Sequence, residues 1–279
     1  MNQNIVFFGS GWYTIPVIKK LMPLGLNLVV TTEKNPDSLF LKFCTENRLK
    51  TISVGNSQEL TNHQSILDSH QVAVLASFGA IIPQDIIDGL PNGIINIHPS
   101  LLPKYKGPSP IQYALLNGDT ITGVTIIKLD NKVDHGPILS QKPYNLTGNE
   151  TSEDLLSILF EIGSELIEDV VLKIMSHEEL SETQQDHSQE SWSHKIKKED
   201  GKIDLENIPN KERLDCMIRA YYPWPGAWLV AKMKDKEIRI KLLPEGRIQP
   251  EGKNAMSYKD FMNGFGSEGK ELLEKLNVI

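Results

Sequence analysis

Cysteine is scarce in these 279 residues: there are only Cys44 and Cys216. A pair so far apart has no metal-ligand spacing and builds no disulfide framework, so a reducing cytoplasm is the expected compartment. No apolar run approaches the length of a membrane span, and no membrane partner is expected. The N-terminal stretch MNQNIVFFGSGWYT has no basic n-region and passes straight into a strand-like pattern, which argues against a secretory leader. Internal repeats and low-complexity tracts are absent. No His, Cys, Asp and Glu set has the spacing of a metal site, so no metal is expected.

What is present is an ordinary globular composition, 39% hydrophobic and 23% charged. The length suits a full α/β domain plus a smaller one. The net charge of −7 is unevenly placed. Residues 150–191 hold twelve acidic residues and one lysine, whereas 192–279 hold seventeen Lys and Arg against fourteen Asp and Glu. The mildly basic tail is compatible with a phosphate-bearing partner.

Short apolar runs at 4–8, 26–31, 71–76 and 93–97 read as strands. Helical spacing appears at 15–24, 38–48 and 110–117, and a short helix within 78–90. Residues 122–129 and 137–141 read as a strand pair. This alternation predicts an α/β fold, a doubly wound, mainly parallel, Rossmann-like sheet covered on both faces. The clearest helix is 151–175, with Leu155, Ile158, Leu159, Ile162, Leu166, Val170 and Ile174 in one apolar stripe and Thr151 paired with Asp154 in a capping box. Residues 1–180 are expected as the main domain. Residues 181–200, polar and without apolar periodicity, are expected as a linker, and 201–279 as a small C-terminal β domain with a helix at 212–222 and strands at 228–232 and 237–242.

Gly9, Gly11 and Glu33 come close to a dinucleotide-binding fingerprint, but Thr14 stands where the third glycine belongs. A tight strand-to-helix turn is the better reading. Asn96 and His98 are more telling. Two apart on a strand, they face the same way, at the carboxyl end where open α/β sheets bind ligands. Asp134 follows the next strand in a loop that can return its carboxylate to the same crevice. Taken singly, a His before Pro99 is a packed residue and Asp134 a turn residue. Together, an amide, an imidazole and a carboxylate can stabilise an oxyanion and move protons, as acyl transfer to an amine requires.

The ordered phrases NIHPSLLPKYKGPSP (96–110), NGDTITGVTI (117–126) and KVDHGPIL (132–139) resemble the folate-dependent formyltransferase superfamily. The resemblance implies that Asn96, His98 and Asp134 are the catalytic triad and that 10-formyltetrahydrofolate is the co-substrate. It also implies folate contacts at Phe78, Gly79, Ala80, Ile81 and Ile82, and at Ser100, Leu101, Leu102 and Pro103. For Ile81 and Ile82, core packing is an equal alternative. Lys104 and Lys106, beside this loop, are placed to meet a terminal phosphate.

In the tail, KIKKEDGKIDL (195–205) and IRAYYPWPGAWL (218–229) resemble the start of the C-terminal domain of methionyl-tRNA formyltransferases, and PEGKNAMSYKDFMNG (250–264) their closing segment. Two departures stand out. The loop TTEKNPDSLF is short and carries only Lys34, where those enzymes have a longer basic loop. Between Trp228 and Met256 there is room for two or three strands, which predicts an abbreviated, partial OB-like barrel. The resemblance implies a monomer that formylates initiator methionyl-tRNA. Contacts to RNA would come from Lys195, Lys197, Lys198, Arg213, Arg219, Lys232, Lys234, Lys236, Arg239 and Lys241. The alternative acceptor is an amino-sugar nucleotide, favoured by the short loop.

Overall fold

Runs of about five apolar residues bounded by glycine and polar turns are too short for a buried helix and long enough for a buried strand. The computed structural model, which describes residues 4–67 and 69–279, forms strands at these runs and at three further segments, Lys50–Ser53, Ile121–Lys128 and Ile138–Asn145, that are not runs of this kind. They are β1 (Ile5–Gly9), β2 (Leu26–Thr31), β3 (Lys50–Ser53), β4 (Val72–Ala76), β5 (Ile94–His98), β6 (Ile121–Lys128) and β7 (Ile138–Asn145). Their order in one seven-stranded sheet is β3-β2-β1-β4-β5-β6-β7. The first five strands are parallel, and β6 and β7 are added antiparallel. The interspersed helices are α1 (Ile15–Leu21), α2 (Leu39–Glu46), α3 (Ser57–Thr61), α4 (Gln64–Leu67), α5 (Gln84–Gly89), α6 (Pro110–Leu116) and α7 (Ser152–Met175). Then come α8 (Lys211–Ala220), β8 (Ala227–Met233), β9 (Lys236–Leu243), β10 (Arg247–Pro250), β11 (Met256–Ser257) and α9 (Tyr258–Lys275).

By compactness the chain divides into two units. The first runs to Gly107 and includes Ile121–Asn145 and Leu156–Trp192; the second comprises Pro108–Thr120, Leu146–Leu155 and Ser193–Ile279. The stretch 181–192, read from its polarity as linker, is grouped with the first unit. Thr183 pairs there with Ile138 through two backbone hydrogen bonds of 2.8 and 2.9 Å.

In the first unit one core joins Val6, Phe8, Leu28, Val30, Ala73 and Ile94 of the sheet to Leu60, Leu67, Ile82, Ile86 and Leu90 from the helical segments. Each fully buried aliphatic side chain of this kind contributes about 1.5–3 kcal/mol. Strand β3 and helices α3 and α4 escape sequence reading because they are one turn or four residues long, with too few apolar positions to set a period.

The Thr151–Asp154 capping box forms as expected: Thr151 N donates to Asp154 Oδ2 at 2.9 Å, and Asp154 N to Thr151 Oγ1 at 3.2 Å. The buried face of α7 is turned slightly from the expected stripe. Leu159, Phe160, Ile167, Val170, Val171 and Ile174 are buried, while Ile158, Ile162 and Leu166 are only partly covered. Gly163 lies on this buried face, where the helix comes so close to the sheet that a Cβ there would lie 2.7 Å from Ile97 Cγ2.

In the second unit β8–β11 form an antiparallel sheet of order β11-β10-β9-β8. Buried Leu229, Ile240, Leu242 and Ile248 from the strands, Leu214 from α8, and Phe261 and Leu273 from α9 supply its apolar interior. The sheet has an open linear order rather than a closed ring, and α9 follows its last strand. The sequence shows no clear sign of α9, because Gly264, Gly266 and Gly269 interrupt it. Gly266 leaves helical geometry at φ 61°, ψ −136°.

Candidate active site

Strand β5 carries the first two residues of the site. Ile97 faces α7, so Ile94, Asn96 and His98 take the opposite face of the pleat. Asn96 and His98 are both about 95% buried. Their partners on β6 are Ile127 and Thr125. After β6 the chain turns back through Asp134, whose φ of 49° lies in the left-handed region that Asp tolerates better than most residues. Gly136 makes the turn possible: a Cβ there would collide with the carbonyl oxygen of Lys128.

The turn delivers the Asp134 carboxylate to the strand end. Its Oδ2 accepts from Gly107 N at 2.8 Å. Its Oδ1 lies 3.4 Å from Asn96 Nδ2 and 3.5 Å from His98 Nδ1. His98 Nε2 lies 3.0 Å from the carbonyl oxygen of Tyr105, which can only accept. Both ring nitrogens therefore face acceptors, which the doubly protonated ring satisfies at both ends. Asn96 Nδ2 and His98 Nδ1 both aim at Asp134 Oδ1, at long hydrogen-bond range. Contacts this long are weak, so both N–H groups can also turn to an oxygen that develops negative charge.

The loop after β5 is locked in place. Thr125 Oγ1 donates to Ser100 O at 2.6 Å and accepts from Leu102 N at 3.1 Å. Gln141 Nε2 braces Thr125 Oγ1 at 2.8 Å and Leu102 O at 3.1 Å. Ser100 and Leu102 are buried, while Leu101 and Pro103 are partly open. The other segment expected to meet folate follows β4, whose Ala76 is in register with Ile97, so it opens at the same edge of the sheet as His98. Phe78 packs edge-on against Phe8 at 5.6 Å. Gly79 and Ile81 are exposed, Ala80 is half-buried, and Ile82 belongs to the core. The structure thus separates the two isoleucines: Ile82 packs inward and Ile81 is free to face a ligand.

The glycine turn after β1 forms as a turn, with Gly11 N donating to Glu33 Oε2 at 3.4 Å. Ser10 Oγ lies 2.9 and 3.0 Å from the hydroxyls of Thr31 and Thr32.

One expectation is overturned. Lys106 does not reach outward to a phosphate. It is fully buried, and its Nζ donates to Glu190 Oε2 at 2.7 Å and to His187 Nδ1 at 3.1 Å. Lys104 remains exposed, its ammonium 4.8 Å from the Tyr105 ring centre. The hydrogen bond from Lys106, then that from Trp192, holds the Glu190 carboxyl below its ordinary range. Loss of hydration, then the Lys106 charge, lowers His187. His187 stacks on His135 at 3.9 Å, and His135 meets Asp130 at 2.6 Å. Sequence reading also missed Gln185, whose amide donates to the carbonyl oxygens of Asp134 and Gly136. An isolated Gln in a polar stretch gives no signal of this.

In the second unit, a hollow of about 380 Å³ is bordered by Tyr113, His194, Lys195, Lys197, Arg213 and Tyr221. Arg219, expected to be available to RNA, is turned inward instead: Nε pairs with Asp215 at 2.7 Å and Nη1 donates to Glu150 O at 3.2 Å. Among the described residues no helix is long and apolar enough to cross a membrane, and no group of three or more His, Cys, Asp or Glu could hold a metal ion.

Residues 30–171 match the model of the family described as formyl transferase, and residues 195–245 that of the formyl transferase C-terminal domain. The chain belongs to the formyl transferase family. It is 30% identical to a methionyl-tRNA formyltransferase of Thermodesulfovibrio yellowstonii, over 95% of this chain and 96% of that one. Against the methionyl-tRNA formyltransferase of Chloroflexus aggregans it is 34% identical, over 81% and 76%. Among solved structures, a 4-N formyltransferase from Francisella tularensis shares the fold of this formyltransferase, with a TM-score of 0.71 at 18% identity, covering 87% of this chain and 98% of that one. The matched family segment includes Asn96, His98, Asp134 and both loops that the formyltransferase opens beside them.

Proposed function

We propose that this formyltransferase moves the formyl group of 10-formyltetrahydrofolate to the α-amino group of methionine esterified to initiator tRNA. The observation that carries the chemistry is the convergence of Asn96 Nδ2 and His98 Nδ1 on Asp134 Oδ1, at 3.4 and 3.5 Å. The attacking amine forms a bond to the formyl carbon, and negative charge collects on the formyl oxygen. Asn96 donates to that oxygen through the amide hydrogen that Asp134 does not take, and the His98 imidazolium through the Nδ1–H that sits only loosely against Asp134. Such donors act strongly because they are aimed in advance and shielded from water. Asp134 holds the imidazolium and takes the surplus proton from the attacking nitrogen. The bond from the formyl carbon to the folate nitrogen then breaks, and that nitrogen leaves with a proton. Phe78, Gly79, Ala80 and Ile81 on one side, and Ser100, Leu101, Leu102 and Pro103 on the other, border the folate. Ile82 supports them from the core.

The acceptor reading rests on relatives matched over nearly their full length, which are methionyl-tRNA formyltransferases. The Lys and Arg around the second unit's hollow suit a phosphate backbone. Residues 201–279 supply most of this tRNA-binding part of a monomeric, cytoplasmic enzyme. One observation favours an amino-sugar nucleotide instead: the short loop after β2 with Lys34 as its single basic residue.

A formylation assay offering charged initiator tRNA beside amino-sugar nucleotides decides the acceptor. Transfer to methionyl-tRNA with no turnover of the sugars is the expected result. The opposite preference would reassign the acceptor and leave the donor chemistry intact.

A further inference from the structure

The stretch 183–192 grips the active-site loops at several points. Thr183 pairs with Ile138, at the end of the Asp134 turn. Ser191 accepts from Tyr105 N at its Oγ, 3.0 Å away, and from Lys106 N at its carbonyl, 2.8 Å away. The grip tightens at Gln185, which is about 94% buried. Its Nε2 donates to Asp134 O at 3.0 Å and to Gly136 O at 2.8 Å, so one amide group bridges the carbonyls on both sides of His135. Its Oε1 is buried and has no hydrogen-bond partner among the described residues.

From this geometry we infer that Gln185 is a positioning residue for formyl transfer: it fixes the left-handed turn at Asp134 so that the carboxylate stays aimed at His98 and Asn96. Three considerations lead here. A non-glycine residue at φ 49° needs external support to keep that conformation. Rotating the amide would set Oε1 against two carbonyl oxygens, so the observed orientation is the one that bonds. A buried acceptor left without a partner destabilises the fold, so a Gln here serves through its NH2 group and not by filling space. The inference rests on the reading of Asp134 as catalytic.

The test compares Gln185→Met, Gln185→Glu and Asp134→Asn in the full chain, with the acceptor that the paired assay turns over. Gln185→Met keeps the length and removes both bonds. It should lower kcat by about 10- to 100-fold, the scale of a misaimed group, with KM for 10-formyltetrahydrofolate changed less than about threefold. Gln185→Glu sets a carboxylate against two carbonyls when ionised and restores one donor when protonated. Its kcat, relative to the unsubstituted protein, should rise as pH falls from 8 to 6. A merely structural role predicts no such recovery. If Gln185→Met does not fold, the pH profile of Gln185→Glu decides alone. Loss of activity in Asp134→Asn with unsubstituted kcat in the Gln185 variants overturns the inference. So does a Gln185→Glu defect that stays constant with pH. Unchanged activity in Asp134→Asn would instead overturn the catalytic reading itself.

Discussion

Asn96 and His98 each occupy a position that a hydrophobic residue of β5 would otherwise fill. Burying an amide and an imidazole beside a carboxylate costs free energy unless each has a partner, and here they share Asp134 and the Tyr105 carbonyl. The arrangement is pre-aimed, so removing one donor should act on the rate more than on binding. Asn96→Ala is expected to lower kcat by about 10²–10³-fold. His98→Ala should lower it at least as far, because it also removes the partner of Asp134. Folate affinity, measured by equilibrium titration, should stay near that of the unsubstituted protein. Turnover left intact in His98→Ala would remove the imidazole from the mechanism. Asn96 and His98 were readable in the sequence because strand periodicity places i and i+2 on one face. Gln185 was not, since its role depends on two carbonyls about fifty positions earlier in the chain.

At the level of elements, the contrast lies between segments that carry their own signal and segments defined by what they touch. Helix α7 announces itself through its capping box and apolar period, and only its rotation was misjudged. Stretch 183–192 has no period, yet it binds the loops that hold the site. Its latch is Lys106 with Glu190 and His187, and both acceptors have lowered pKa values. A group whose pKa is depressed when latched gives stability above its ordinary pKa and loses it as pH falls. The His187 share should therefore fade below roughly pH 6.5 and the Glu190 share below roughly pH 4.5. Amide exchange at Lys106, corrected for intrinsic rates and compared with β1, should accelerate in those two steps. Glu190→Gln should abolish the lower step and leave the upper one. A latch equally tight at pH 7 and pH 4 would refute this account.

For the molecule as a whole, the charge distribution sets the expectations. The net −7 hides an acidic middle segment and a mildly basic tail. Nucleic-acid affinity scales with the phosphates neutralised and falls steeply with salt. Reversing charge at Lys197 and Lys198 together should weaken binding of initiator methionyl-tRNA and reduce the slope of log K against log salt by about two. A slope unchanged by the double substitution would place the RNA elsewhere. Arg219 should be a poor choice for such a test, because Asp215 and the Glu150 carbonyl already hold it.

The amino-acid sequence by itself determined the parallel α/β sheet, its capped long helix and the pair Asn96–His98, because each rests on a period or a local spacing within one element. The tertiary structure alone decided that Lys106 is an interior latch, that Ile82 belongs to the core while Ile81 faces out, and that Gln185 steadies Asp134. Those outcomes depend on which distant groups arrive beside a side chain, and burial and hydrogen bonding between remote segments leave no local pattern to read.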